Sequence, residues 1–283
     1  MNPSVHLLII DPQNDFCDLP APYRPLDPGT GAPLSPALPV PGAHADMQRL
    51  ASLIDSASTR INEITVTLDS HHRQDIAHPT FWSLGDGGAV SPFTPITATE
   101  LRAGKFRPRR SQDLPRTLAY LDELEARARY TLMVWPVHCE IGSWGHNVHA
   151  EVRAAYNRWE DQSGASVSKL SKGSNPWTEH YSAVMAEVPD PSDPDTQLNM
   201  ALIEQLDRAD LIIVAGEASS HCVRATVEHL VANLPSGKAD KLALLTDCMS
   251  PVSGFEAQHR EFFASMSSQG VRLMTSQDMA GHL

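Results

Sequence analysis

Short apolar runs alternate with stretches of helical periodicity along most of the chain. Runs of four to eight apolar residues between turn-forming residues are typical of buried strands, and apolar residues three and four apart are typical of helices. The predicted strands cover residues 5–10, 63–68, 130–135, 166–170, 211–214, 241–247 and 271–274. The predicted helices cover residues 43–57, 114–128, 147–159, 196–208, 223–230 and 254–268.

This alternation predicts an α/β fold with three layers, α/β/α, around a central, mainly parallel sheet. We interpret residues 1–283 as a single domain with loop insertions at about 18–42 and 83–112, where proline and glycine replace periodicity. The second insertion carries Arg102, Arg107, Arg109 and Arg110, which we expect on its surface.

Charge and composition narrow the classes of partner. The 22 basic and 34 acidic residues give a net charge of −12, which argues against binding nucleic acid or an acidic membrane surface. No apolar run is long enough to span a bilayer, and no basic segment precedes residues 5–10, so we expect a cytoplasmic protein with a small-molecule partner. The four cysteines show no Cys-x-x-Cys spacing and are expected to be reduced thiols.

Polar residues follow several predicted strands at the point where each strand ends. Asp11 follows the first strand, Asp69 and His71 the second, His138 the third and Lys172 the fourth. Functional sites form at the carboxyl edge of parallel sheets. Each residue also has a common structural role: Asp11 in a turn before proline, Asp69 and His71 in a solvated loop, and Lys172 as a surface charge. Asp69 and His71 lie two apart, so in an extended segment their side chains point the same way and suit a shared divalent ion.

Cys222 lies where the strand at 211–214 gives way to the helix marked by Val223, Val227 and Leu230. Free backbone N–H groups and the helix dipole at such a turn favour a thiolate and a neighbouring oxyanion, as a nucleophile requires. A lone cysteine is more often a small buried hydrophobic residue, so its partners must decide its role.

Six sequence blocks resemble the isochorismatase-like cysteine hydrolases, and among them the nicotinamidases. The blocks occur in the family's order and extend over nearly the whole chain. They are Leu-Ile-Ile-Asp-Pro-Gln-Asn-Asp-Phe at 8–16, Val-Pro-Gly-Ala at 40–43, Thr-Leu-Asp-Ser-His at 67–71, Trp-Pro-Val-His-Cys at 135–139, Lys-Gly at 172–173 and Gly-Glu-Ala-Ser-Ser-His-Cys-Val at 216–223.

This resemblance implies the isochorismatase-like hydrolase fold and a catalytic triad of Asp11, Lys172 and Cys222. Asp11 would take the thiol proton, Cys222 would attack an amide carbonyl, and water would hydrolyse the resulting thioester. The family's oxyanion donors fall on the backbone N–H groups of Ala218 and Cys222. Its cis peptide bond would lie between Glu217 and Ala218.

The resemblance also implies a divalent metal ion, zinc or iron, held by Asp69, His71 and His138. In nicotinamidases this ion meets the ring nitrogen of the substrate and orients the ring. His78 lies farther along the chain than the family's usual second histidine and is a candidate fourth ligand. Phe16 and Trp135 would be the apolar walls around a planar ring.

The expected activity is nicotinamidase, the hydrolysis of nicotinamide to nicotinate and ammonia. Ser70 and Ser219-Ser220 depart from the family's common residues, and the two insertions could reshape the mouth of the site. Three alternatives remain open. The substrate could be a carbamoyl or maleamate-type amide or a vinyl ether, the mechanism could use metal-bound water, or the protein could be a catalytically silent metal-binding relative. Because family members often assemble, the resemblance also raises the expectation of a homo-oligomer.

Overall fold

The computed structural model describes residues 3–283, which contain ten strands and eight helices. The strands are β1 (Val5–Ile10), β2 (Glu63–Asp69), β3 (Trp82–Leu84), β4 (Thr94–Ile96), β5 (Phe106–Pro108), β6 (Leu132–Val134), β7 (Ser168–Lys172), β8 (Leu211–Gly216), β9 (Leu242–Leu245) and β10 (Arg272–Met274). The helices are α1 (Ala43–Ser56), α2 (Ala98–Arg102), α3 (Leu114–Arg127), α4 (Ala150–Ser163), α5 (Met200–Asp207), α6 (Cys222–Asn233), α7 (Glu256–Ser268) and α8 (Ser276–His282).

Six of these strands form one parallel sheet in the order β10-β9-β8-β1-β2-β7. Helices flank it, which confirms the predicted three-layer α/β fold. β1 lies between β8 and β2, and all its residues are buried because both faces of the sheet are covered. Its one polar side chain, His6, shares a hydrogen bond with the hydroxyl of Thr65 on β2. The carboxyl ends of β8, β1, β2 and β7 therefore meet side by side at one edge of the sheet.

The predicted third strand does not join this sheet, so that prediction was wrong. Only Leu132–Val134 is extended, and it pairs antiparallel with β4 from the second insertion. An apolar run indicates that a strand is buried but does not indicate which strand it pairs with. Here the pairing strand, β4, comes from the insertion. The segment after β6 still reaches the sheet edge, because the N–H of Trp135 bonds to the carbonyl of Ala77 and that of His71 to the carbonyl of Cys139.

The two insertions differ in structure. Residues 18–42 form a long loop with a single 3-10 turn at Ala21–Tyr23, as the proline and glycine content predicts. Residues 83–112 contain short strands and α2, and they pack around a separate cluster of buried apolar side chains. The four arginines of this insertion are exposed, as expected.

Two helix starts differ from the prediction. The helix expected from Thr196 begins at Met200, because the Asn199 side chain accepts the N–H of Leu202 and caps it there. The helix expected from residue 147 begins at Ala150, after the buried His149, whose ring contacts that of His44. Among residues 3–283, no helix combines the length and the apolar character that crossing a membrane requires.

Candidate active site

Asp11, Lys172 and Cys222 come together at the carboxyl edge of the sheet, although they lie far apart in sequence. Asp11 follows β1, Lys172 ends β7 and Cys222 begins α6 after the turn that follows β8. The Nζ atom of Lys172 lies 2.9 Å from Oδ2 of Asp11 and 3.7 Å from Sγ of Cys222. All three side chains are buried, so their charges interact with little screening by water.

Asp11 is held by its neighbour on β2. The hydroxyl of Thr67 donates to Oδ1 of Asp11 at 2.6 Å and accepts the backbone N–H of Asp11 at 3.1 Å. Burial raises the pKa of Asp11, and the ammonium of Lys172 partly reverses the shift. A carboxylate with a raised pKa is a stronger base, which suits a group that must accept a proton.

The Cys222 thiol is harder to ionise than its place at a helix start suggests. Burial raises its pKa well above the usual value, and Lys172 opposes that shift only in part. The thiol therefore keeps its proton until a neighbouring base removes it. The nearby carboxylate is Asp11, which contacts the same ammonium as the thiol, at 2.9 Å against 3.7 Å from Nζ of Lys172.

Two backbone N–H groups beside Cys222 are free to hold an oxyanion. Within residues 3–283, the N–H groups of Ala218 and Cys222 donate no hydrogen bond. The cis peptide bond expected between Glu217 and Ala218 is absent, since every peptide bond in the described residues is trans. The turn is instead made by Ala218 at φ +59°, with the N–H of Ser219 bonded to the carbonyl of Ser250.

A cluster of buried histidines lies next to these groups. Ring nitrogens of His71, His78 and His138 all lie within 4.8 Å of one another. Oδ2 of Asp69 is 3.0 Å from Nε2 of His71 and 3.3 Å from Nε2 of His138, while its Oδ1 is 2.8 Å from Nζ of Lys172. Imidazole nitrogens with one carboxylate are a donor set that suits zinc or iron, so these residues fit a divalent ion.

The structure brings His78 into this cluster, although its distance in sequence left its role open. Burial, together with the nearby rings of His138 and His71, lowers the pKa of His78 to about 2, so its imidazole is neutral, the form that binds a metal. Asp75 supports the cluster from outside, because its Oδ2 lies 3.0 Å from Nδ1 of His71. A carboxylate behind a histidine commonly orients that ring for a metal.

A small cavity connects the thiol and the histidine cluster. Its walls include Phe16 and Trp135, the two expected ring walls, together with Asp69, His138 and Cys222. The cavity has a volume of about 20 Å³, room for roughly one water molecule. Side chains of the wall must therefore move before an aromatic substrate can enter.

Four further residues at this site were missed from the sequence. Glu179 and Tyr181 line the cavity, but they belong to an irregular segment without periodicity, which carries no signal. Burial raises the pKa of Glu179 to about 8, and its Oε2 has no partner among residues 3–283. The sequence does carry a signal for the other two residues. Thr67 lies two residues before Asp69 on the same face of β2, and Asp75 is a carboxylate four residues after the candidate ligand His71.

Comparisons with known proteins identify the fold. In sequence, no protein-family model and no curated protein matches the chain. In structure, the chain is similar to the nicotinamidase/pyrazinamidase of Acinetobacter baumanii, with 19% identity, a TM-score of 0.62 and 98% of each chain covered. It is similar to the yeast nicotinamidase bound to the inhibitor nicotinaldehyde, with 18% identity, a TM-score of 0.63, and 96% of this chain and 99% of that chain covered.

A third similar structure contains a metal. The pyrazinamidase of Pyrococcus horikoshii in complex with zinc has 17% identity and a TM-score of 0.52, with 96% of this chain and 99% of that chain covered. The chain therefore has the isochorismatase-like α/β fold of these structures.

Proposed function

We propose that the chain is a cysteine-dependent amidohydrolase that converts nicotinamide to nicotinate and ammonia. One observation carries the proposal: β1, β7 and α6 deliver Asp11, Lys172 and Cys222 to one buried point, with Nζ of Lys172 at 2.9 Å from Asp11 and 3.7 Å from Cys222. A base beside a thiol, both oriented by a third group, is the arrangement that nucleophilic catalysis requires. The similarity in fold to nicotinamidases and pyrazinamidases supports hydrolase chemistry.

In the first half-reaction, Sγ of Cys222 attacks the amide carbonyl carbon as Asp11 takes the thiol proton. The N–H groups of Ala218 and Cys222 stabilise the tetrahedral oxyanion. The intermediate collapses with cleavage of the C–N bond, and Asp11 donates its proton to the leaving nitrogen. Ammonia departs, and the acyl group remains on Cys222 as a thioester.

In the second half-reaction, a water molecule attacks the thioester and Asp11 takes one of its protons. The C–S bond breaks, nicotinate is released and Cys222 regains its proton. Lys172 stays charged throughout, because the two carboxylates beside it outweigh the effect of burial and raise its pKa well above the usual value. Its role is to hold Asp11 in place and to stabilise the thiolate while it exists.

Asp69, His71 and His138, with His78, would hold a divalent ion, and zinc or iron suits these donors. The bound ion would supply a Lewis acid that orients the nitrogen of a heteroaromatic ring. The zinc in the pyrazinamidase of Pyrococcus horikoshii supports this part of the proposal. Phe16 and Trp135, which line the cavity, would face the ring of such a substrate once the wall side chains have moved.

The test is product formation from a pair of amides. The purified, zinc-loaded chain is incubated separately with nicotinamide and with maleamate, and ammonia and the carboxylate product are measured. Nicotinate and ammonia in equal amounts, with far slower release from maleamate, would support the proposal. Ammonia from maleamate alone would overturn nicotinamide as the substrate, and no ammonia from either amide by the folded, metal-loaded chain would overturn the amidase.

A further inference from the structure

A second cleft, apart from the Cys222 cavity, shares no lining residue with it. Its volume is about 550 Å³, within the range of small-molecule sites. Leu68 lines this cleft, whereas its neighbour on β2, Asp69, lines the Cys222 cavity. Successive side chains of a strand point to opposite sides, so these two residues face different spaces.

The cleft is positively charged in a chain whose net charge is −12. Arg153 and Lys169 line it, and no aspartate or glutamate does. Among residues 3–283, no carboxylate pairs with either cation, whereas Arg158, on the same helix as Arg153, lies 2.7 Å from Asp55. The two charges are therefore available to an anion, which would be drawn to this cleft.

The start of α4 adds to this positive potential. Ala150, the first residue of this 14-residue helix, lines the cleft, and its N–H donates no hydrogen bond within residues 3–283. Helix starts bind anions through such N–H groups and the helix dipole. The acid in this first turn, Glu151, does not line the cleft, and its Oε1 accepts hydrogen bonds from the hydroxyl of Tyr23, which does, and from Nε2 of Gln48.

Aromatic side chains form much of the remaining wall. Tyr23, Trp144 and Tyr156 line the cleft, and Nζ of Lys169 lies 5.1 Å from the ring centroid of Tyr156. Aromatic side chains stack on planar bases with useful affinity whatever the base. Tyr23 and Trp144 are partly exposed and offer a surface for a planar ring beside a site for an anion, whereas Tyr156 is buried under Lys169.

We propose that this cleft binds a nucleoside monophosphate, with the phosphate at Arg153, Lys169 and the N–H of Ala150 and the base against the aromatic wall. The cleft shares no lining residue with the Cys222 cavity, so the proposal does not depend on the catalytic one. Inorganic phosphate would contact only the basic part of the cleft, and a nucleoside would contact only its aromatic wall.

The test is isothermal titration of the full chain with AMP, adenosine and inorganic phosphate. We expect AMP to bind more tightly than either fragment, and its affinity to fall at least about tenfold in Arg153→Gln/Lys169→Gln, because charge-assisted hydrogen bonds are lost. Arg158→Gln is the matched control and should bind AMP as the parent does. Both substitutions in the first variant are at exposed positions, and its thermal unfolding is measured to confirm that it folds.

Photo-crosslinking with 8-azido-AMP then locates the bound base. Label on peptides that contain Tyr23, Trp144 or Tyr156 would support the proposal. No saturable AMP binding, equal affinity in the double variant, or label confined to other peptides would overturn it.

Discussion

The ammonium of Lys172 lies 2.9 Å from a carboxylate oxygen of Asp11, and both side chains are buried. The same ammonium lies 2.8 Å from Asp69, which also contacts the histidine cluster. Lys172 therefore joins the proposed nucleophilic site to the proposed metal site. Without it, two buried carboxylates would repel each other with nothing between them.

Replacing Lys172 is expected to remove activity and to destabilise the fold. Lys172→Met leaves Asp11 buried without a cation and removes one partner of Asp69, which should lower the free energy of unfolding by about 3–5 kcal/mol. Urea unfolding and ammonia release measure the two effects. Lys238→Met, at an exposed lysine, is the control and should stay within about 0.5 kcal/mol of the parent. Parent-like stability of Lys172→Met would show that the ion pairs are not formed.

Asp75 is expected to tune metal affinity without touching the metal. Its Oδ2 lies 3.0 Å from Nδ1 of His71, and its Oδ1 accepts the N–H of Ala77. We expect Asp75→Asn to weaken zinc binding about 10- to 100-fold, measured by competition with a chelator. Asp86→Asn is a matched control, because Asp86 accepts the N–H of Gly88 in the same way but contacts no histidine. Equal zinc affinity in both variants would contradict this role.

Glu187 is expected to make stability depend on pH. Burial raises its pKa from 4.5 to about 7, with Arg129 opposing and Glu228 reinforcing the shift. The folded state therefore holds a proton that the unfolded state has already lost, and Glu187 should reduce the free energy of unfolding by roughly 1 kcal/mol per pH unit between pH 4.5 and about 7.

The measurement is urea unfolding of the parent and of Glu187→Gln across this range. The glutamine keeps the shape of the side chain but does not titrate, so the variant should gain stability relative to the parent as pH rises. A constant difference between the two proteins would contradict the prediction.

Gly216 is expected to tolerate no side chain. A Cβ atom there would lie 2.0 Å from the carbonyl oxygen of Ile10, and its φ is +130°. Gly216→Ala should cost at least about 3 kcal/mol and displace Asp11, the next residue after Ile10, with loss of ammonia release. Gly237→Ala, at φ +65° with open space around it, should cost only about 1 kcal/mol. Equal unfolding free energies for the two variants would contradict the close approach of β8 to β1.

The sequence predicted the parts of the molecule that follow from periodicity. The strands that carry Asp11, Asp69 and Lys172 are apolar or alternate along short runs, so their ends could be placed at one sheet edge. The strand before His138 could not be assigned correctly, because its partner comes from an insertion that shows no periodicity. His138 still reaches the site, since the N–H of His71 bonds to the carbonyl of the next residue, Cys139.

Other features depend on tertiary packing that no local pattern reports. Cys222 lies at the predicted strand-to-helix turn, yet burial raises its pKa well above the usual value, with Lys172 opposing the shift. Glu179 and Tyr181 reach the cavity from a segment without regular structure. His78 joins the histidine cluster because the chain turns between residues 72 and 78, where its N–H bonds to the carbonyl of Asp75.

Ammonia release from nicotinamide by the parent, Cys222→Ala and Cys248→Ala, with metal content measured on all three, tests the central claim most directly. Cys248 is the matched control, because it is also a buried thiol after a strand of the main sheet, and burial likewise raises its pKa. We predict ammonia from the parent and from Cys248→Ala, none from Cys222→Ala, and equal metal in all three. Undiminished ammonia release by metal-loaded Cys222→Ala would contradict nucleophilic catalysis by this cysteine.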